Sequence, residues 1–200
     1  MIRLGLTGSI GMGKSTVGAM FEAHGCPLHD ADAAVHALYR SAAVPLIEAE
    51  FPGTTGPDGV DRAKLSKHVI GKPEAMKRLE AIIHPLVRDR ELAFYQRAED
   101  AGADMVLIDI PLLFETGAED RFDAVVVVSA PEDVQRARVL AREGMTEEKF
   151  EAIKAKQIPD ADKRQKADYV VDTGLPLEET RAQVDEILDQ IKSRFAQTRE

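Results

Sequence analysis

Residues 2–16 read Ile2-Arg3-Leu4-Gly5-Leu6-Thr7-Gly8-Ser9-Ile10-Gly11-Met12-Gly13-Lys14-Ser15-Thr16. Gly8, Gly13, Lys14 and Ser15 satisfy G-x-x-x-x-G-K-[ST], the spacing of a phosphate-binding loop. Ile2, Leu4 and Leu6 form a strand-like run before the loop, and Val17, Met20 and Phe21 follow it at helical spacing. A strand, a glycine-rich turn and a helix is the context that gives this motif its meaning. The chemistry also asks for these residue types. Gly8, Gly11 and Gly13 allow positive φ and a close backbone approach. The loop N–H groups then form an anion nest, and the helix opening near Lys14 adds the positive end of its dipole. Lys14 offers a mobile charge to β- and γ-phosphates, and Ser15 offers a hydroxyl to Mg²⁺.

The bulk composition narrows what surrounds this loop. The chain has 200 residues, which suits one domain with an inserted subdomain or lid. With 26 Lys and Arg against 35 Asp and Glu, its net charge is −9, which disfavours broad nucleic-acid binding. Cys26 is the only cysteine, so no intramolecular disulfide can form, and a reducing cytoplasm is expected. The sequence opens directly into the strand before the loop, so no cleaved signal peptide is expected. No apolar run approaches the ~20 residues of a membrane span. The chain contains no asparagine, which excludes the Asn-Lys-x-Asp motif of guanine-specific switches.

Outward from the loop, residues 14–24 read as a helix ended by Gly25, and residues 26–29 as a second strand. Asp30 and Asp32 follow at its carboxyl end, where ligands bind in open parallel sheets. Asp32 is a candidate for substrate chemistry; taken alone, an Asp just before Ala33 reads first as an N-cap for the helix beginning there. The two roles can also be divided between Asp30 and Asp32. Residues 33–50 and 61–70 read as helical, with a turn-rich loop from Pro52 to Gly59 between them. Met76, Leu79, Ile82 and Ile83 keep a helical period, and Pro85 is expected to break it and open a new helix running toward Ala101. His84 sits at that break, as a structural or a functional residue.

Met105–Pro111 and Ala124–Ala130 are apolar, as buried parallel strands require. Asp109, closing the first of these, fits either a Mg²⁺-supporting carboxylate or a satisfied polar group at a strand end. Residues 135–166 carry +3 and the remainder −12. Gln135, Arg138 and Arg142 are spaced to share one helix face, where arginines can clamp developing charge beside a phosphate site or simply face water. Tyr169–Thr173 reads as the last strand, and a helix from about Pro176 carries a core stripe of Val184, Ile187, Leu188, Ile191 and Phe195. The alternation predicts an α/β fold: a P-loop NTPase core with a parallel five-stranded sheet, a helical substrate-binding subdomain and a helical lid.

These motifs together resemble the dephospho-CoA kinase family. The resemblance rests on Gly5–Val17, Asp30-Ala-Asp32 with His36, His84-Pro85, Asp109-Ile-Pro-Leu-Leu-Phe-Glu115, Gln135 with Arg138 and Arg142, Gln157, and Ala167-Asp168. It implies ATP-dependent phosphorylation of the ribose 3′-hydroxyl of dephospho-CoA, the last step of CoA synthesis. It implies one kinase domain over residues 1–200, a helical CoA-binding region at 30–100 and a lid at 138–166. On this likeness Lys14, Asp32 and Arg142 are catalytic. The ATP set is Gly8, Gly11, Met12, Gly13, Lys14, Ser15, Thr16, Arg138 and Arg142; the acceptor set is Asp32, His84, Pro85 and Leu112. Mg²⁺ would be held by Ser15, with Asp109 as a second ligand. ATP and dephospho-CoA are the expected partners, with no nucleic acid, membrane or obligate protein partner. The family commonly has Asn after the last strand, where this chain has Thr173. The rival is another small-molecule kinase on the same fold, acting on a nucleoside, a nucleotide or a sugar acid.

Overall fold

The computed structural model describes residues 1–196. The chain opens with β1 (Ile2–Thr7), α1 (Lys14–Ala23) and β2 (Leu28–Asp30). It continues through α2 (Ala31–Leu38), α3 (Val44–Glu50), a small hairpin of β3 (Thr55–Gly56) and β4 (Gly59–Val60), α4 (Arg62–Val69) and the long α5 (Pro73–Asp100). It closes with β5 (Met105–Asp109), a 3₁₀ turn (Glu119–Arg121), β6 (Ala124–Ser129), α6 (Glu132–Leu140), α7 (Glu147–Lys154), α8 (Asp160–Lys166), β7 (Tyr169–Asp172) and α9 (Leu177–Ala196). Two compact units result, residues 1–28 with 101–196 and residues 29–100.

The first unit is built on a five-stranded sheet ordered β2-β5-β1-β6-β7. β1 pairs in parallel with both β5 and β6, and β6 pairs in parallel with β7. Every residue of β5 and β6 is buried, which is why both read as apolar runs without alternation. The two faces are nonetheless distinct. Val126 and Val128 pack with α1 and α9 through Val17, Phe21, Val184 and Ile191. Val125 and Val127 pack on the opposite side with Leu113 and Phe114, the period of two that a strand imposes. Truncating a fully buried side chain here, such as Leu107, costs about 2–5 kcal/mol. With β1 central, its carboxyl end opens between β5 and β6, and the phosphate loop starts there.

The second unit has its own core of Leu38, Ile47, Phe51, Leu65, Val69, Leu79 and Ile83. Its helices are capped locally: Asp30 accepts from Ala33 N at 2.9 Å to start α2, and Asp61 accepts from Lys64 N at 3.0 Å to start α4. One expectation fails here. Pro85 does not divide residues 73–100 into two helices; it lies inside the single helix α5. A proline removes one backbone N–H and crowds the preceding turn. Leu79, Ile82, Ile83, Leu86 and Val87 pack into the same core on both sides of it, and this burial outweighs the lost bond.

Candidate active site

The loop between β1 and α1 is shaped by close contacts. Gly8 does not need positive φ; it needs the absence of a side chain, because a Cβ there would meet Val128 O at 2.6 Å. Gly11 needs both, with φ +80° and Val139 Cγ2 at 2.4 Å from a built Cβ. Gly13, at φ +85°, precedes α1, and no side chain caps that helix. Its positive end is thereby left to an anion. Ser15 and Thr16 are exposed on its first turn.

Side chains from far along the sequence hold this loop. Ile10 N donates to Gln157 Oε1 at 3.1 Å, and Gln135 Nε2 donates to Ile10 O at 2.8 Å. Met12 O accepts from Thr173 Oγ1 at 2.7 Å. Met12 itself is 2% exposed, and its sulfur accepts from Ala130 N at 3.1 Å. Its side chain is therefore core, and its backbone is what it can offer a nucleotide.

Lys14 and Asp109 form an ion pair. Asp109 closes β5 in register with Leu6, so it lies beside the start of the loop, and it is 5% exposed. A buried carboxylate beside the loop lysine, together with the serine hydroxyl on the first turn of α1, offers the oxygen donors that Mg²⁺ prefers when most of its ligands come from phosphate and water. Ser15 and Asp109 fit such an ion. Among the described residues no cluster of three or more His, Cys, Asp or Glu could hold a metal by itself.

Arg138 reaches the loop through Thr173. Its guanidinium donates to Thr173 Oγ1 at 3.0 Å and to Thr173 O at 2.7 Å. Thr173 is buried, and its N–H donates to Ser129 O at 2.8 Å. The three-residue face of Gln135, Arg138 and Arg142 does not form. Gln135 turns inward at 3% exposure to bind the loop, and α6 ends at Leu140, which leaves Arg142 exposed in the following turn. Glu115 ends the Pro-Leu-Leu-Phe-Glu run and accepts from Ile158 N at 2.9 Å. It also pairs with the fully buried Lys163 at 2.8 Å. Burial pushes the Glu115 carboxyl up, but the Lys163 and Ile158 donors outweigh this and hold it below the usual range. Leu112, in the same turn, is exposed.

In the helical unit Asp30 takes the capping role and leaves Asp32 exposed on the first turn of α2. His84 and Pro85 are exposed at the middle of α5. His36 Nε2 is 2.6 Å from Arg62 Nη1. Both line a groove of about 830 Å³ with Tyr39, Arg40 and Asp58. Burial raises the Tyr39 hydroxyl pKa, and Arg62 opposes it. The sequence reading assigned no task to Gln157, Lys163 or Glu115. Only the presence of Gln157 and Glu115 in the resemblance signalled them.

The family model described as dephospho-CoA kinase matches residues 2–178 of this chain. A protein named dephospho-CoA kinase from Rhizobium etli is 58% identical over 196 residues, 98% of this chain and 97% of the relative. A crystal structure from Thermus thermophilus is similar with TM-score 0.82 and 35% identity, covering 96% of this chain and 97% of its own. A structure titled dephospho-CoA kinase from Campylobacter jejuni is similar with TM-score 0.68 and 26% identity, covering 94% and 96%.

Proposed function

We infer the reaction at this site from one premise: the chain belongs to the dephospho-CoA kinase family. It is an ATP-dependent kinase for a hydroxyl acceptor, and we assign it the transfer of the ATP γ-phosphate to the ribose 3′-hydroxyl of dephospho-CoA, giving CoA and ADP. The observation that carries this reading is a family match along nearly the whole chain, joined to a braced phosphate loop with Lys14 at its end.

Phosphoryl transfer has a loose transition state, so positioning and neutralisation of charge dominate. The loop amides and the open end of α1 would hold the β-phosphate. Lys14, now paired with Asp109, would place its ammonium on the phosphate oxygens where charge develops. Ser15 and Asp109 would hold Mg²⁺, which would supply further neutralisation of phosphate charge. Asp32 would orient the acceptor hydroxyl and accept its proton late. Arg142, on the turn after α6, would belong to a lid that covers the phosphates and excludes water, which would otherwise hydrolyse ATP. His84, Pro85 and Leu112 would face the acceptor, and the groove with Arg40 and Arg62 offers guanidinium groups to its phosphates. A cytoplasmic setting belongs to the same proposal, supported by the single cysteine. No helix among the described residues is long and apolar enough to cross a membrane.

The test is a coupled ADP-release assay with Mg-ATP and dephospho-CoA, adenosine, AMP, shikimate or gluconate. Dephospho-CoA should exceed the others in kcat/KM by orders of magnitude, because its pantetheine arm adds binding energy that can align the hydroxyl. A better rate with AMP or a sugar acid would transfer the chain to the rival reading.

A further inference from the structure

Ile10 stands at the apex of the phosphate loop, and glutamine amides hold both of its polar backbone groups. Gln157 accepts from its N–H at 3.1 Å, and Gln135 donates to its C=O at 2.8 Å. The two peptide planes that meet at Ile10 are therefore each fixed from outside. In a trans peptide the C=O and the following N–H point in opposite directions. Holding Ile10 O toward Gln135 thus turns Gly11 N–H the other way. Holding Ile10 N–H toward Gln157 turns Ser9 C=O toward Met12 N, which donates to it at 3.2 Å and closes the turn.

Gln157 is held in its own turn. Its neighbour Ile158 donates its N–H to Glu115 at 2.9 Å and packs near Leu113 and Phe114. Glu115 pairs at 2.8 Å with Lys163, which has no exposed surface. Ser129 Oγ donates to Asp160 Oδ2 at 2.6 Å. Residues 157–163 are thus fastened to the sheet by partly buried groups. The preceding helix α7 is joined to α6 by ion pairs at the surface, Arg136 with Glu147 and Lys154 with Glu132. Surface pairs of that kind hold weakly, and α7 is anchored instead by Phe150, which is 1% exposed.

We propose that Gln157 is a positioning residue for the phosphate loop, and that Glu115 and Lys163 act through it by fixing the turn that carries it. The segment between, residues 141–156, links the helix that carries Gln135 to the turn that carries Gln157, the two side chains that set the loop apex. The proposal rests on the nucleotide site assigned above. It gives the glutamate of the Pro-Leu-Leu-Phe-Glu run a task that involves no contact with either substrate.

The test uses the full chain and ADP as the probe, by calorimetric titration, with steady-state kinetics beside it. Gln157→Met keeps the volume of a half-buried side chain and removes the acceptor. It should weaken ADP binding and raise KM for ATP by about fivefold, the equivalent of one hydrogen bond of about 1 kcal/mol. KM for dephospho-CoA should stay within twofold. Glu115→Gln with Lys163→Met removes both buried charges together, which folded proteins tolerate better than removal of one. This pair should produce a similar loss, and adding Gln157→Met should weaken ADP binding little further, because all three act through one tether. ADP affinity within twofold of the parent in Gln157→Met overturns the proposal, as does an equal loss of acceptor affinity. Full additivity, about 25-fold in the triple variant, overturns the role of Glu115 and Lys163. If the paired variant does not fold, Gln157→Met alone decides on Gln157, and Glu115→Asp, which keeps the charge but draws the carboxylate back from Ile158 N, decides the rest: it should weaken ADP binding severalfold, and an affinity within twofold of the parent overturns the role of Glu115. Failure of the parent to bind ADP would instead remove the nucleotide site itself.

Discussion

The phosphate loop and the helical unit of residues 29–100 carry their candidate residues in opposite ways. In the loop, Gly8 lies against β6, Ile10 is held by two glutamines, Met12 by Thr173 and Ala130, and Lys14 by Asp109. In the helical unit Asp32, His84 and Pro85 are exposed, and the buried core of that unit is apolar packing. The difference is one of preorganisation. A triphosphate is bound by many weak donors, which help only if fixed before charge develops. An acceptor hydroxyl needs one carboxylate, which a helix start can place, and the binding energy of a long acceptor can align the rest. Loop substitutions should therefore disturb nucleotide binding and turnover together, whereas substitutions in the helical unit should separate them.

The largest effect is expected at Lys14. Lys14→Met removes the cation from the bridging phosphates and should lower kcat by at least about a hundredfold. It also leaves Asp109, 5% exposed, without that partner. Asp109→Asn in the same background should restore melting temperature without restoring turnover. A folded Lys14→Met variant within tenfold of the parent would break the assignment of the loop.

Asp32→Asn is the sharpest probe of the other side of the comparison. It keeps shape and removes the proton acceptor, and Asp30 retains the cap on α2. The expected fall in kcat is about a hundredfold, with KM for ATP within twofold. Weakened ATP affinity with a surviving acceptor-dependent rate would place Asp32 with the nucleotide instead. Arg142→Ala should be milder, about tenfold in kcat, the order of one lost charge contact. Its companion measurement is amide exchange: residues 141–156 should be protected by ATP with acceptor, while 157–166 should be slow in both states. Equal exchange of 141–156 with and without ligands would remove the lid.

How far the sequence could be read follows the same division. The loop was legible because its motif is local, and β5 and β6 because full burial leaves an unbroken apolar run. Asp30 and Asp32 could not be separated beforehand, since either can cap a helix; only the bond to Ala33 assigns the cap to Asp30. Pro85 misled because proline's local cost was visible and the core on both sides of it was not. Gln135 read as part of a polar face, but its partner Ile10 lies 125 residues away. Gln157 reaches back 147 residues to the same Ile10, and nothing in the spacing of a lone glutamine announces such a bond. The two bonds to Ile10 are long-range and neutral, and charge or period patterns do not show them.

The smallest effect is the one most specific to the braced side. The Glu115 carboxyl is held below the usual range by Lys163 and the Ile158 amide, against the opposing push of burial. A carboxyl whose native pKa is depressed adds stability that is fully present above its unfolded value of about 4.3. That stability is lost as pH falls through the lower native value. Protonation also leaves Lys163, with no exposed surface, without its counter-charge. Glu115→Gln with Lys163→Met has no such titration. The difference in Tm between parent and paired variant should be constant from pH 8 down to about pH 5, and should shift in favour of the variant below about pH 4. The scale is small, since about 1 kcal/mol moves Tm by about 2–4 °C at this chain length. Differential scanning calorimetry across that range resolves it. Parallel Tm curves for the two proteins down to pH 3 would mean that Glu115 and Lys163 are not a charged pair in the native state, and the brace would then rest on Gln157 and Gln135 alone.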